Sequence, residues 1–186
     1  ITTTFTDATT GPVTQWAWNF GNGNTSTAQN PGSRTYTTPG AYNVSLQATS
    51  ANGCSTNDNT TVNVYATPIP AFTPQNVCED VLATLSDQST VGFGGAITSW
   101  NWTFGDGSPN STAQNPTHTY TNNGNYNVIL AVATANCNAT DTLPIVVEPK
   151  PTATLAADTN RGCSPLPVTF TNASTGAATY LWDFGD

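Results

Sequence analysis

The chain has 186 residues, of which only Arg34, Lys150 and Arg161 are basic against eleven acidic ones, for a formal net charge of -8. Binding to nucleic acid or to an anionic membrane needs a cationic face, so neither is expected as a partner. Charged residues make up 8 % of the chain and the polar remainder is chiefly Thr, Asn, Ser and Gln, which suits strands and turns and gives helices little support; five Trp, seven Phe and six Tyr supply the apolar area that disordered chains lack.

The N-terminus, from Ile1 to Phe5, has neither the basic start nor the apolar run of a signal peptide, and no stretch is long enough to span a membrane, so any targeting signal is expected outside this segment. The first patterned element is Trp16-Ala17-Trp18-Asn19-Phe20-Gly21-Asn22-Gly23. It returns as Trp100-Asn101-Trp102-Thr103-Phe104-Gly105-Asp106-Gly107 and again as Tyr180-Leu181-Trp182-Asp183-Phe184-Gly185-Asp186, the second Trp stepping by 84 and then 80 residues. Ser26 to Pro31 returns as Ser111 to Pro116, and Gly40 to Leu46 as Gly124 to Leu130. Self-similarity at a near-constant period marks a duplicated structural unit.

Asn52-Gly53 reads as the tip of a hairpin between the last two strands of the first unit. Thr67-Pro68-Ile69-Pro70-Ala71-Phe72 follows, matched in position by Glu148-Pro149-Lys150-Pro151-Thr152-Ala153; the prolines block sheet pairing across the junction and stiffen it. This divides the chain into 1–66, a repeat lacking its first strand, 67–149, a complete repeat, and 150–186, the N-terminal part of a third. In the complete repeat, period-two alternation predicts strands over Val81–Leu85, Ile97–Phe104, Tyr126–Ala133 and Leu143–Val147, with a hairpin tip around Asn136. Seven or so short strands with a buried Trp in the third predict an all-β chain of tandem immunoglobulin-like β-sandwiches in a linear array.

The aromatic-Trp-Asp-Phe-Gly-Asp segment at Tyr180–Asp186 resembles the hallmark of the PKD domain, the polycystic-kidney-disease type of immunoglobulin-like repeat. Asn115-Pro116-Thr117-His118-Thr119-Tyr120 and the Gly-x-Tyr-x-Val-x-Leu strand in both copies are similar to further elements of that family. A Cys before the second strand, as at Cys163, with another at the last hairpin, as at Cys54, is similar to the variant in very large cell-surface proteins of Bacteroidota, among them gliding adhesins and other cargo of the type IX secretion route. The first repeat departs from the pattern with Asn19 and Asn22 at the acidic positions and Arg34 where the second has His118.

Several residues invite chemistry. Asp106 in the Phe-Gly-Asp-Gly turn is a weak calcium candidate, since one carboxylate per turn falls short of the usual ligand set; a structural turn is the competing reading, and no other cofactor is implied. His118 has no Ser-Asp partner signature beside it in sequence, and its counterpart is Arg34, so a structural role is expected. Glu79-Asp80 lies in a turn before a strand, where solvated acids are ordinary. No catalytic residue is assigned and an enzyme is not expected. Trp18, Trp102 and Trp182 take the core position of the third strand; Trp16 and Trp100, two residues earlier, share that face, yet near the strand start they could be exposed enough to form a platform for a sugar ring. Asp141-Thr142-Leu143 resembles an O-glycosylation site of Bacteroidota, with Thr142 as acceptor.

Four cysteines without a Cys-x-x-Cys pair, in a chain with one His, fit disulfides in an oxidising compartment better than zinc. Cys78 and Cys163 precede a second strand, at the end of the sandwich nearest the following domain, whereas Cys54 and Cys137 sit in last hairpins at the opposite end. A disulfide tolerates a Cα separation of about 4.4–6.8 Å. Bridges between successive repeats are therefore expected, Cys137 to a Cys ahead of Ile1 and Cys78 to one beyond Asp186; Cys78–Cys137, Cys54–Cys78 and Cys137–Cys163 remain alternatives. The expected role is an extracellular, non-catalytic spacer of a long adhesin or filament, whose partners are neighbouring repeats, surface polysaccharide or other copies. The alternative is a carbohydrate- or surface-binding module accessory to a secreted enzyme.

Overall fold

The computed structural model describes residues 1–185, and its regular elements are all strands. The first repeat contains β1 (Thr2–Phe5), β2 (Val13–Asn19), β3 (Thr25–Ser26), β4 (Gly32–Thr35), β5 (Gly40–Ser50) and β6 (Ser55–Val64). The second contains β7 (Val77–Cys78), β8 (Leu82–Thr84), β9 (Ser99–Thr103), β10 (Thr117–Thr119), β11 (Gly124–Ala133) and β12 (Asn138–Glu148), and the third contributes β13 (Leu155–Ala157) and β14 (Phe170–Asn172). Each of the first two repeats has a four-stranded sheet, in the orders β3-β2-β5-β6 and β7-β12-β11-β9, and a two-stranded one, β1-β4 and β10-β8.

Alternation decides the inner face. On β11 Val128, Leu130 and Val132 are buried while Ile129 and Ala131 between them are half-buried, and the register sets Trp102 opposite Leu130 and Trp100 opposite Val132. The first repeat repeats this with Trp18 opposite Leu46 and Trp16 opposite Ala48. In sequence the alternation slips between Ile97 and Trp100; the corresponding stretch of β2 carries a register shift between Val13 and Gln15, the extra residue of a bulge, which restores parity before the Trp pair.

The last strand outruns its expected length. Leu143–Val147 are flanked by polar residues, yet β12 begins at Asn138 because its polar positions face solvent on an edge. Pro144 is tolerated there, where no partner strand lies on the open side, and Asn76 Oδ1 accepts the Val146 N–H at 3.0 Å.

Two hydrophobic cores form, and they share no residue. One gathers Phe5, Trp18, Phe20, Tyr36, Val44 and Val64; the other is built on Phe72, Leu85, Trp102, Phe104, Tyr120, Leu130 and Ile145. Phe5, Trp18 and Phe20 have a counterpart in Phe170, Trp182 and Phe184 of the third repeat, with ring separations of 6.1, 5.3 and 6.2 Å against 6.1, 5.3 and 6.0 Å.

The linker match needs correcting by two positions. Phe72 pairs with Asp87 and Ile69 with Thr90, while Leu155 pairs with Asn172 and Thr152 with Thr175. Leu155 therefore stands where Phe72 stands, and Pro151 aligns with Pro68. Proline spacing misled because Pro70 is matched by Ala153, whereas the large apolar residue that enters the core fixes the register.

Candidate functional site

The repeated aromatic motif builds two structural devices on β2 and on β9, one at the start of the strand and one in the turn after it. At the start, Trp16 Nε1 donates to Asp7 Oδ2 at 2.7 Å, and Gln29 Nε2 donates to the same oxygen at 3.2 Å. Asp7 Oδ1 accepts the Thr9 N–H at 2.9 Å, and the Asp7 N–H donates to Asn30 Oδ1 at 2.9 Å. The second repeat duplicates every contact: Trp100 and Gln114 reach Asp87 Oδ2 at 2.7 and 3.1 Å, Ser89 N–H reaches Oδ1 at 3.0 Å, and Asn115 holds the Asp87 N–H at 2.9 Å. This explains the repeated Gln-Asn-Pro. The two amide side chains tie the β3–β4 connection to the aspartate that orients the first Trp. In the third repeat Asn172 replaces the Asp and Tyr180 the Trp, and the Tyr180 hydroxyl donates to Ala177 O instead.

Trp16 and Trp100, the sequence candidates for a glycan platform, are half-buried, packed on their cores, and tethered through the indole N–H. Sequence reasoning missed Asp7 and Asp87, which stand 9 and 13 residues ahead of their Trp; the signal that could have found them is the recurring apolar-x-Asp-x-Ser/Thr pattern of Phe5 to Thr9 and Leu85 to Ser89. Hydrogen bonds from Thr9 first, then from Trp16 and Gln29, hold the Asp7 carboxyl at about 2. For Asp87 burial opposes the effect, but donors on Ser89, Trp100 and Gln114 still carry it below its ordinary value.

A pH dependence follows for Asp7. A carboxyl held below its ordinary value stays ionised in the fold after the unfolded chain has taken up a proton, so its contribution is present near neutrality and is lost from roughly pH 4 down to about pH 2. Urea unfolding of the first repeat should therefore weaken over that range in the parent protein, and the difference between parent and Asp7→Asn should shrink toward zero as the pH falls. A difference constant with pH would disprove the assignment.

The Phe-Gly-Asp-Gly turn forms the second device. Asp106 Oδ1 accepts from Ser108 N–H at 3.0 Å and from Ser108 Oγ at 2.6 Å, and Oδ2 lies 2.7 Å from His118 Nε2. His118 stacks flat on Phe104 with ring centroids 4.0 Å apart, and Tyr120 meets its edge at 4.6 Å. Burial alone would raise Asp106, but the Ser108 and His118 hydrogen bonds prevail and its carboxyl sits below the ordinary value. In the first repeat Arg34 lies over the Phe20 ring at 4.8 Å, and Asn22 accepts the Asn24 N–H. Arg and His thus fill one role, a cationic or polar plane laid over the motif Phe. The absence of a Ser-Asp partner beside His118, read from sequence, is corrected here: the turn brings Ser108 and Asp106 to it across 10 and 12 residues. They do not make a nucleophilic triad. Ser108 Oγ is 2.6 Å from the carboxylate and 3.5 Å from the imidazole, so its proton is directed to Asp106 and His118 is not placed to take it.

The same donors engage both oxygens of Asp106, the calcium candidate, and no cluster of three or more His, Cys, Asp or Glu suited to a metal occurs among the described residues. Tyr36 and Tyr120 close each motif from below, donating to Phe20 O and Phe104 O at 3.1 Å, and burial pushes the Tyr120 hydroxyl up to about 12.

All four cysteines carry free thiols, Cys54, Cys78 and Cys163 exposed and Cys137 half-buried. Cys78 pairs with Glu148 at one end of β12 and Cys137 precedes Asn138 at the other, about 33 Å apart at the rise of a strand. Thr142 is exposed on β12, its N–H bonded to Asp141 Oδ1 at 2.8 Å.

Two sandwiches with separate cores, antiparallel except where β7 joins β12 in parallel, and joined in tandem by short linkers, define an all-β, immunoglobulin-like array. The chain belongs to the PKD domain family, which matches residues 1–64 and again residues 65–148. Among solved structures, the PKD1 domain of Vibrio anguillarum Epp is 25% identical, with a TM-score of 0.42 over 47% of this chain and 100% of that one. The fibronectin(III)-like modules of Clostridium thermocellum CbhA are 16% identical, TM-score 0.39, covering 80% of this chain and 85% of theirs. The amphioxus IgVJ-C2 molecule is 11% identical, TM-score 0.40, covering 78% and 96%. Domains of the PKD family are typically extracellular or surface modules with structural or adhesive rather than catalytic roles.

Proposed function

We propose that this chain is part of a non-catalytic spacer in a long extracellular adhesin or filament, holding distal binding domains away from a cell surface. The observation that carries this reading is the closure of each hydrophobic core within its own repeat. Repeats so built add length without rearranging their neighbours, and copy number sets reach. The short connections are themselves held. In the first, the Ala66 N–H donates to Phe93 O at 2.8 Å. In the second, Lys150 donates its N–H to Glu79 Oε1 at 3.0 Å and its Nζ to Asp80 Oδ2 at 2.8 Å. The motif and cysteine pattern support a surface protein of Bacteroidota carried by the type IX route, with Cys54, Cys78, Cys137 and Cys163 bridging successive repeats once neighbours are present on both sides, and Thr142 as an O-glycan acceptor.

Small-angle scattering tests the spacer. The expected particle is elongated, with a maximum dimension unchanged between low and high salt, and a compact globule would overturn the reading. The alternative is a carbohydrate-binding module on Trp16 and Trp100, whose half-buried rings leave part of their surface open. Saturable binding to a panel of polysaccharides, lost in Trp16→Ala or Trp100→Ala while the fold persists, would replace the spacer reading by that one.

A further inference from the structure

Asn22 is followed by Gly23, and the chain holds two further Asn-Gly pairs, Asn52-Gly53 and Asn123-Gly124. An asparagine loses its amide when the main-chain nitrogen of the next residue attacks its Cγ, and a following glycine leaves that nitrogen unshielded. The three nitrogens differ. Gly53 donates its N–H to Ser50 O at 3.0 Å, and Gly124 opens β11 in register with Val147. The Gly23 N–H has no acceptor among the described residues, and a Cβ placed on Gly23 would meet nothing within 4 Å. Gly107 in the complete second repeat is equally free, so this opening belongs to the turn itself. The electrophile is prepared as well: the Asn24 N–H donates to Asn22 Oδ1 at 3.1 Å, which polarises the side-chain carbonyl and stabilises the oxyanion that attack creates. What Asn22 lacks is shown by the second repeat, where Asp106 holds the equivalent position, with Oδ1 on the Ser108 N–H at 3.0 Å and Oδ2 2.7 Å from His118 Nε2. In the first repeat Arg34 replaces His118, its guanidinium 4.8 Å above Phe20 as the imidazole lies 4.0 Å above Phe104. The Asn22 atom matching Asp106 Oδ2 is Nδ2, a donor, and a guanidinium only donates, so the two cannot form a hydrogen bond.

We infer that Asn22 is a self-modification site, at which the folded turn deamidates to an aspartate that pairs with Arg34. Water is the only co-reactant. The Gly23 nitrogen loses its proton to water and bonds to Asn22 Cγ; the Cγ–Nδ2 bond breaks and Nδ2 leaves as ammonia, taking a proton from water and closing a five-membered imide. A second water opens the imide at Cγ, giving a carboxylate and restoring the Gly23 N–H. Amide and water become carboxylate and ammonium, and nothing is oxidised or reduced. Opening at the main-chain carbon instead would add a methylene to the backbone of a turn whose Phe20 N–H closes onto Asn24 O at 3.0 Å and whose Gly21 stands against Asn43. Opening at Cγ preserves both contacts. The product offers Arg34 a charged acceptor in place of a donor, and as an ionised carboxylate it has no leaving group, so the reaction stops there. The inference does not depend on the spacer reading.

Peptide mapping by mass spectrometry, on the folded chain held at neutral pH, is the test. Conversion at Asn22 is expected to outpace that at Asn52 by roughly tenfold, the factor set by the one hydrogen bond that Gly53 must first break. Aspartate should exceed isoaspartate, and unfolding in urea should bring the two rates together. Asn22→Asp, made directly, should raise the urea midpoint of the first repeat above that of fresh parent protein at low salt, where an exposed ion pair is least screened, and Arg34→Gln should remove the gain. An Asn22 that keeps its amide, equal rates at Asn22 and Asn52 in the folded chain, rates that stay apart in urea, isoaspartate as the main product, or no gain from Asn22→Asp would overturn the proposal.

Discussion

Trp102→Ala is expected to destabilise the second repeat by about 3–5 kcal/mol while leaving the first repeat's unfolding transition where it was. Trp102 has no solvent exposure, lies against Phe72 at 5.1 Å, and donates its indole N–H to Ala113 O at 3.1 Å. Truncation removes the largest side chain of that core, leaves a cavity between two sheets, and strands the Ala113 carbonyl without its donor, a further cost of about 1–3 kcal/mol if water cannot reach it. Because the two cores share no residue, the effect should stay within one repeat, as substitutions at separated sites do. Urea denaturation followed by the remaining Trp fluorescence resolves two transitions, of which only the second should move. Trp18→Ala gives the matched comparison. Trp18 keeps its donation to Ala28 O at 3.1 Å but is 7% exposed where Trp102 has no exposure, so its truncation should cost less. Equal losses in the two repeats would mean that the difference in exposure between Trp18 and Trp102 has no energetic weight.

Most of the architecture could be read from the residues. Strict alternation around Trp102 and Val128 to Val132 specifies a strand and its inner face, and the recurrence of Trp-x-Phe-Gly sets the repeat. What could not be read depended on partners far apart in the chain. Asp7 and Asp87 sit in polar stretches without periodicity, and only folding brings them within 2.7 Å of Trp16 and Trp100. Ser108 and Asp106 reach His118 because the turn doubles back, which spacing along the chain does not reveal. The third-repeat linker failed for a different reason: prolines tolerate a range of positions ahead of a strand, so two of them aligned by eye at Pro149 and Pro151, while the seat of Leu155 is what fixes the pairing with Asn172.

The turn after the motif strand should be the other sensitive point, and two glycines in it separate two costs. Gly105 has φ +85°, and a Cβ there would lie 2.6 Å from Asn127 O and 2.9 Å from Asn127 N, both backbone atoms of β11 that cannot swing aside. Gly107 has nearly the same φ, +82°, but a Cβ there would meet nothing within 4 Å. Gly107→Ala should thus lose only the conformational preference, about 1–2 kcal/mol. Gly105→Ala adds the overpacking of a turn pressed onto a strand, typically another 1–3 kcal/mol, for a total of roughly 2–5 kcal/mol. The first repeat offers a replicate at Gly21, φ +74°, where a Cβ would stand 2.7 Å from Asn43 O. The damage should also be visible before unfolding. If the turn lifts off β11 to admit the methyl group, Asp106 is carried away from His118 and the imidazole loses its flat seat on Phe104. The His118 ring-proton shifts in the proton spectrum, displaced by the Phe104 ring current in the parent, should move toward those of an exposed histidine in Gly105→Ala and stay in place in Gly107→Ala. A Gly105→Ala protein with parental stability and an unmoved His118 would mean that the turn does not rest on β11, and that the close approach of Gly105 to Asn127 plays no part in holding the motif.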